Sequence, residues 1–203
     1  MFMLILKSSN ESIKKAVEYL KKGKVIVYPT ETCYALGCDA TNDEACRRIF
    51  KIKKRSEKKK LPIIVADLKM AKNYAKFDED SLKLAKAFWP GPLTLVLENK
   101  KRVSPLVADE KIALRVSSNR VARALSRKLG KPIVATSANI SGKVNCYSIN
   151  EVLRQRVEAD LYLDAGKLDK IKPSTIFDVE RRIILREGPI SIDEILKVLE
   201  KQH

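Results

Sequence analysis

Residues 24–37 read KVIVYPTETCYALG, and the class of fold can be inferred from this stretch. The apolar run 25–28 is typical of a strand buried on both faces, and Pro29 ends it because proline lacks the N–H that a sheet requires. Two threonines and a glutamate follow directly. Polar residues just beyond a buried strand are typical of the ligand crevice of an α/β sheet. A turn stabilised by the hydroxyl groups is the alternative interpretation.

Strand-like and helix-like patterns alternate on both sides of this stretch. The predicted strands cover residues 4–7, 25–28, 62–66, 93–97, 112–116, 133–135, 161–163, 175–179 and 183–185. The predicted helix starts are the caps Asn10, Asp67, Asp78 and Ser118 and the capping boxes Thr41-x-x-Glu44, Ser148-x-x-Glu151 and Ser191-x-x-Glu194. The alternation, with some adjacent strand pairs, predicts an α/β fold in which a mixed sheet is covered by helices. The 203 residues contain no repeat or linker, so we expect a single domain over residues 1–203.

The charge balance points to a negatively charged ligand or partner. Lysine and arginine number 41 against 25 acidic residues, which gives a formal net charge of +16. This surplus favours a nucleotide, RNA or an acidic membrane surface. The apolar run 1–6 is too short for a signal peptide, and no other run approaches the roughly 20 residues that span a bilayer. We therefore expect a soluble cytoplasmic protein that does not enter a membrane.

Several kinds of site are disfavoured by the residues that the chain lacks. Its one histidine, His203, is the last residue, which argues against Ser-His-Asp, Cys-His and histidine-zinc chemistry. The cysteines Cys33, Cys38, Cys46 and Cys146 have no CxxC spacing, so we expect buried thiols and no protein-bound structural metal. Neither a GxGxxG fingerprint nor a P-loop occurs. Any phosphate must therefore be bound by side chains and irregular loops.

Other segments carry residues suited to a polar ligand. Seven of the ten residues 51–60 are basic and could hold a triphosphate, although a solvated face or an RNA-backbone patch gives the same pattern. Residues 135–142 read ATSANISG and would let a ligand approach the backbone, with a structural loop as the alternative. Ser174 precedes one strand and Arg186 ends the next. Arg115 also ends a strand, where it could point into the crevice or form a surface ion pair.

Taken in order, these segments resemble the YrdC-like threonylcarbamoyl-AMP synthase family. The matching phrases are Pro29-Thr-Glu-Thr with Tyr34 and Gly37, Lys53-x-Arg55 with Lys59, Trp89-Pro-Gly-Pro-x-Thr, Leu-Arg115-Val, Ser137-Ala-Asn139-x-Ser-Gly142 and Ser174-Thr-Ile. They extend from Tyr28 to Arg186, and six phrases in this order make the resemblance specific. The resemblance implies a YrdC-like twisted mixed β-sheet flanked by helices, with a concave, positively charged pocket.

The same resemblance implies a reaction in which L-threonine, bicarbonate and ATP give threonylcarbamoyl-AMP and pyrophosphate. A separate transferase complex would pass the threonylcarbamoyl group to the adenosine beside the anticodon of tRNA. Mg²⁺ would enter with ATP, bound by phosphates and water. The implied roles are threonine contact by Thr32, Arg115, Thr136 and Ser174, ATP contact by Arg55, Lys59, Asn139 and Arg186, and catalytic signatures formed by Lys53, Arg55, Ser137 and Asn139.

The chain departs from the family pattern near two of these phrases. Ser56 and Lys60 stand where relatives commonly have proline, so Lys58, Lys59 and Lys60 are all candidates for the phosphate contact. Ile64 stands where many relatives have a histidine near the threonine. Threonine binding must then depend on Arg115 and the hydroxyl groups.

Two other functions would each explain part of the sequence. A non-catalytic RNA-binding module would explain the charge, but residues 51–60 contain no aromatic side chain for base stacking. A carbamoyl-adenylate-forming module would share the fold, but that domain normally belongs to a much longer chain. Weak binding of tRNA or double-stranded RNA is compatible with all three.

Overall fold

The computed structural model describes residues 3–200, which form alternating strands and helices. The strands are β1 (Leu4–Lys7), β2 (Ile26–Pro29), β3 (Tyr34–Gly37), β4 (Ile63–Ile64), β5 (Leu93–Glu98), β6 (Lys111–Arg115), β7 (Ile133–Val134), β8 (Thr136–Ser137), β9 (Leu161–Asp164), β10 (Thr175–Asp178) and β11 (Ile183–Arg186). The helices are α1 (Asn10–Lys21), α2 (Asp43–Lys53), α3 (Leu68–Tyr74), α4 (Glu79–Phe88), α5 (Arg120–Leu129), α6 (Ile149–Arg154) and α7 (Ile192–Glu200). Within residues 3–200, every helix falls short of the length and apolar character that crossing a bilayer needs. His203 and the first two residues of the run 1–6 lie outside the described residues.

The strands form two mixed sheets, where the alternation predicted one. The five-stranded sheet has the order β1-β9-β2-β3-β8, in which β9 is parallel to β1 and β2, and β3 is antiparallel to β2 and β8. The six-stranded sheet has the order β11-β10-β5-β6-β4-β7, in which β10-β5 and β6-β4 are parallel and the other pairs antiparallel. The predicted mixed α/β class is confirmed.

The six-stranded sheet packs one face into the core and turns the other toward a cavity. Side chains alternate between the two faces of a strand, so every second residue of β5, β6 and β10 points the same way. The core face carries the buried residues Leu93, Leu95, Leu97, Ile112, Leu114 and Phe177. The opposite face presents Val96, Ala113 and Ile176 to the cavity. Two register pairs, Val96 with Ala113 and Thr94 with Ile176, keep these residues side by side.

Two strands lie in segments that the sequence pattern presented as loops. β3 occupies the second half of the stretch 29–37 and is buried throughout, and β8 lies within 135–142. β8 is only two residues long and is rich in hydroxyl groups, so its strand character arises from pairing with β3. The residues 30–33 left between β2 and β3 form a tight turn.

Three helices begin one residue away from the predicted cap. The observed N-caps are Ser9, Asn42 and Asn119, where the pattern predicted Asn10, Thr41 and Ser118. At each start two residues with capping side chains are adjacent, and only the backbone conformation decides which oxygen reaches the N–H groups of the first turn. The caps predicted at Asp67, Asp78 and Ser148 are confirmed, and Ser191 forms the predicted capping box with Glu194.

The turn at Trp89 and the four cysteines have architectural roles. The Trp89 indole Nε1 donates a 2.7 Å hydrogen bond to the carbonyl oxygen of Leu93, and its ring meets Phe77 edge-on. All four cysteines are buried and free, as predicted.

Gly37 provides a stability test of the contact between the two sheets. A Cβ atom there would lie 2.1 Å from the Val134 carbonyl oxygen and 2.7 Å from Cε1 of Tyr28, which itself is fully buried. Gly37→Ala should therefore lower the free energy of unfolding by about 3 kcal/mol, measured by urea denaturation. Gly166→Ala is the control, because a Cβ there meets open space and only the positive φ of 79° disfavours it, at a cost of about 1 kcal/mol. Equal losses in the two variants would contradict the assigned contact.

Candidate functional site

Two adjoining cavities contain the candidate site. The main cavity, of about 370 Å³, lies between the turn 30–33 with β3 and β8 on one side and the open face of the six-stranded sheet on the other. The side cavity, of about 260 Å³, lies between the basic loop that follows α2 and the loop 137–142. Arg55 and Ser137 line both cavities.

The ten predicted site residues are all found along these two cavities. The main cavity is lined by Thr32, Arg55, Arg115, Thr136, Ser137, Ser174 and Arg186, and the side cavity by Lys53, Arg55, Lys59, Ser137 and Asn139. They come from six separate segments of the chain, so the tertiary fold brings them together. Their individual contacts with substrate stay predictions.

The sequence left open whether residues 30–33 form a hydroxyl-stabilised turn or part of a ligand site, and the structure shows a turn that also lines the cavity. The Thr30 Oγ1 atom accepts hydrogen bonds from the backbone N–H groups of Thr32 and Cys33, each at 3.2 Å, and donates to the Cys33 carbonyl oxygen at 2.7 Å. This is the turn stabilised by a hydroxyl group. Thr32 also lines the main cavity, with its Oγ1 atom 3.1 Å from that of Thr30. Because Thr30 makes the turn, Thr32 is held at the cavity wall.

Arg115 and Arg186 are two of the three guanidinium groups that line the main cavity. Arg115 is buried at the end of β6 and forms an ion pair through Nη1 with Glu31 Oε1, while Ser117 Oγ donates to Glu31 Oε2. Arg186 instead donates to neutral oxygens, reaching the Ser174 carbonyl at 2.7 Å and the Ser174 hydroxyl at 3.0 Å. Burial and the neighbouring Arg115 lower the pKa of Arg186.

Ser174 is in turn bound to Thr94, because the two hydroxyl oxygens lie 2.9 Å apart. Both residues are buried and both line the main cavity. The two hydroxyl groups and the Arg186 guanidinium thus form one hydrogen-bonded cluster in the wall of the main cavity.

The cations of the basic loop differ in which of the two cavities they line. The Arg55 guanidinium donates to the carbonyl oxygens of Lys59 and Lys60, both at 3.2 Å, which closes the loop on itself, and burial lowers the pKa of Arg55. Lys59 lines the side cavity, whereas Lys60 lines the main cavity and forms a 2.9 Å ion pair with Asp109. Lys58 is exposed and is not part of either wall.

Lys53 holds the loop opposite the basic loop. Its side chain is only 2% exposed, and Nζ donates to the carbonyl oxygens of Ser137 and Asn139 and, at 3.1 Å, to Asn139 Oδ1. Its own carbonyl accepts from the N–H of Ser141 at 2.9 Å. Ser137 Oγ completes the network by donating to Asn139 Oδ1 at 2.6 Å. Burial, and to a smaller extent Arg55, lower the pKa of Lys53 to about 8.

The five cations that line the main cavity differ in what they are paired with. Lys60, Lys111 and Arg115 each have a carboxylate partner, those of Lys111 being Asp178 and Glu180 at 2.9 and 2.8 Å. Arg55 and Arg186 form no ion pair among residues 3–200 and have only neutral acceptors. Their charge is therefore available to an anionic ligand.

Sequence reasoning missed three residues at this site. Glu31 and Thr94 stand inside quoted phrases but were given no role, and Lys111 lines the cavity because it lies four residues before Arg115 on the same face of β6. The strand alternation that places Lys111, Ala113 and Arg115 together was the available signal. Ile64, at the position where many relatives have histidine, is fully buried and does not line either cavity. Among residues 3–200, no group of three or more His, Cys, Asp or Glu side chains could hold a metal ion.

The chain is similar to known proteins over nearly all of its length. Residues 18–188 match the Sua5, YciO and YrdC family model, described as telomere recombination. The chain is 34% identical to a threonylcarbamoyl-AMP synthase of Aliivibrio fischeri, over 88% of this chain and 100% of that one. The crystal structure of P. abyssi Sua5 complexed with L-threonine matches with a TM-score of 0.90 and 32% identity, over 98% of this chain but 61% of that one. E. coli YciO matches with a TM-score of 0.83 and 30% identity, over 96% and 98% of the two chains.

Replacement of Lys53 tests its role as the anchor of the loop 137–142. Lys53→Met keeps the side-chain length but leaves three buried oxygens without their donor, so it should lower the free energy of unfolding by about 3 kcal/mol in urea denaturation. Lys51→Met, at an exposed position of α2, is the control and should change it by less than about 0.5 kcal/mol. A loss no larger than that of the control would show that Lys53 does not hold the loop.

The lowered pKa of Lys53 also predicts a pH dependence of stability. The folded protein loses the Lys53 proton near pH 8, whereas the unfolded chain keeps it up to about 10.5. Between these values the unfolded state binds more protons than the folded state. The contribution of Lys53 to the free energy of unfolding therefore rises as the pH increases from 8 toward 10.5 and is lost again as the pH returns to 8. The difference in unfolding free energy between the parent protein and Lys53→Met should therefore grow from pH 8 to pH 10. A constant difference would contradict the shift.

Proposed function

The chain belongs to the Sua5, YciO and YrdC family, and we propose that it is a threonylcarbamoyl-AMP synthase. The observation that carries the proposal is the arrangement of the main cavity. Two guanidinium groups without carboxylate partners, Arg55 and Arg186, share this cavity with six threonine or serine residues and with Arg115. A polyphosphate and a small hydroxylated amino acid are the ligands that such a set recognises. The threonine bound to P. abyssi Sua5 and the synthases at 34% identity agree with it.

Threonine would be bound beside Arg115 in the main cavity. A guanidinium presents several N–H groups in one plane, so Arg115 can donate to Glu31 through Nη1 and still offer other donors to the threonine carboxylate. Thr32, Thr136 and Ser174 supply hydroxyl groups that can donate to or accept from the polar groups of the substrate. With Ile64 in place of a histidine, these four residues are the proposed threonine site.

The triphosphate would be bound by the unpaired cations. Arg55 lies between the two cavities, Arg186 lines the main cavity and Lys59 lines the side cavity, so together they can follow an extended anion. Lys59 is favoured over Lys58 and Lys60 because it lines a cavity and forms no ion pair among the described residues, whereas Lys60 is bound to Asp109. Asn139 and Ser137 would contact the nucleotide from the opposite loop. Lys53 would act as a positioning residue that fixes this loop.

The proposed chemistry requires no protein nucleophile. The threonine amine adds to CO₂, losing a proton to form a carbamate, and a carbamate oxygen attacks the α-phosphorus of ATP as pyrophosphate leaves. Catalysis then rests on holding the two reactants in line, which can contribute about 7–11 kcal/mol, and on stabilising the departing pyrophosphate. Mg²⁺ would arrive as part of the ATP substrate, bound mainly by phosphate oxygens and water.

The product has chemical consequences for partners and location. Threonylcarbamoyl-AMP is a reactive adenylate, so we propose that it is passed to a cytoplasmic transferase complex that modifies the adenosine beside the anticodon of tRNA. The formal charge of +16 supports weak contact with tRNA or double-stranded RNA during this transfer.

An assay of pyrophosphate release from ATP tests the proposal and its assignment of Arg55. Release should require both L-threonine and bicarbonate, and Arg55→Ala should lower kcat by about 100-fold because the departing pyrophosphate loses a guanidinium donor. Arg47→Ala removes an exposed arginine of α2 that lines neither cavity, and it is expected to retain full activity.

Other outcomes would favour the other functions. Release that depends on carbamoyl phosphate would indicate a carbamoyl-adenylate-forming module. Salt-sensitive RNA binding without any ATP turnover would indicate an RNA-binding module. Full activity of Arg55→Ala would refute the role of Arg55 while leaving the reaction itself in place.

A further inference from the structure

Glu31 is an acidic residue beside the main cavity that the reaction scheme does not use. It lies between two cavity-lining threonines, Thr30 and Thr32, in the turn between β2 and β3. One carboxylate oxygen accepts from Arg115 and the other from Ser117. The Glu31 and Arg115 side chains are 15% and 7% exposed, so little water screens the pair.

This ion pair joins the two sheets at the cavity. Glu31 belongs to the turn of the five-stranded sheet, whereas Arg115 ends β6 of the six-stranded sheet. The negative charge is therefore held at a fixed place next to Arg115, the cavity-lining guanidinium that threonine is proposed to contact. A purely structural ion pair would need the same contact but would not need to be at the ligand site.

Arg115 and Arg186 both line the main cavity but are compensated differently. Arg115 has Glu31, and Arg186 has only the neutral oxygens of Ser174. The three charged groups sum to +1, whereas Arg115 and Arg186 alone would give +2. Because of this carboxylate, Arg115 offers a ligand less net positive charge than Arg186 does.

A ligand gains differently from the paired Arg115 and the unpaired Arg186, depending on the ligand's own charge. A free amino acid carries a carboxylate and an ammonium group, so it gains from a cation and an anion placed side by side. A polyphosphate carries only negative charge and is repelled by the carboxylate. Specificity between two such ligands is set by the repulsive group as much as by the attractive one.

We propose that Glu31 makes Arg115 selective for a zwitterionic amino acid and keeps polyphosphate from binding to Arg115. The proposal rests on the proposed function, because it assumes that both kinds of ligand enter the cavity. Arg115 then binds the amino-acid carboxylate while Glu31 attracts the ammonium group and directs phosphates toward Arg55 and Arg186.

Glu31→Gln tests this by removing the charge while keeping the side-chain size. Titration calorimetry without ATP would measure the binding of L-threonine and of inorganic pyrophosphate separately. The variant should bind threonine about tenfold more weakly and pyrophosphate about tenfold more tightly. These opposite signs identify a charge effect, since loosening of the wall would weaken both ligands. Weaker binding of both, or no change in either, would overturn the proposal.

Two further variants separate the position of the charge from its mere presence. Glu18→Gln removes one carboxylate from the exposed ion pair with Lys15, neither member of which lines a cavity of the site, so it makes the same charge change away from Arg115 and should leave both affinities unchanged. Glu31→Asp keeps the charge and should bind pyrophosphate as weakly as the parent protein does. Tighter pyrophosphate binding by either variant would show that selectivity does not depend on the charge at Glu31.

The parent protein provides a test that does not depend on folding of a variant. Pyrophosphate at saturation should change the threonine Kd by less than about twofold, because the two ligands are kept apart. 3-Hydroxybutyrate, which lacks the ammonium group, should bind at least about tenfold more weakly than threonine. Competition by pyrophosphate, or equal binding of the two acids, would overturn the proposal even if product forms. Failure of the protein to bind threonine at all would instead refute the proposed function.

Discussion

Unequal pairing of the cavity cations is the interaction on which the candidate site depends. A cluster of arginines and lysines around one cavity repels itself unless carboxylates compensate part of the charge. Here Glu31, Asp109, Asp178 and Glu180 compensate three of the five lining cations, and Arg55 and Arg186 are left with neutral acceptors. The uncompensated pair is where an anion gains most, so the distribution of carboxylates decides where each ligand would bind.

The surrounding architecture keeps these charges in place. Three structural features do this: the hydroxyl-stabilised turn at Thr30, the ammonium group of Lys53 inserted beneath the loop 137–142, and the close contact of Gly37 with the Val134 carbonyl. The Lys53 and Gly37 contacts join segments that are distant in sequence, and the Thr30 turn holds Thr32 at the cavity wall. A site that works by positioning needs such fixed walls, because small displacements of a reactant lower the rate steeply.

Much of the fold followed from local patterns. Within residues 3–200, apolar runs located nine of the eleven strands, and capping residues located the seven helix starts to within one residue. The errors share one cause. β3 and β8 acquire strand character from their neighbours, and the caps at Ser9, Asn42 and Asn119 are chosen by backbone conformation between two adjacent candidates. Local composition carries neither kind of information.

By itself the sequence determined the α/β class, the basic charge and the lack of histidine and P-loop chemistry, because these follow from residue types and their order. The ten candidate residues came from the motifs that resemble the YrdC-like family. Tertiary structure alone decided how the charges are shared. Glu31 and Arg115 are 84 residues apart, and nothing in the spacing indicates that they meet, whereas the packing of one sheet turn against the end of β6 brings them into contact. Compensation between charges depends on distance through space, so only the folded chain distinguishes a cation that is paired from one that can bind a ligand.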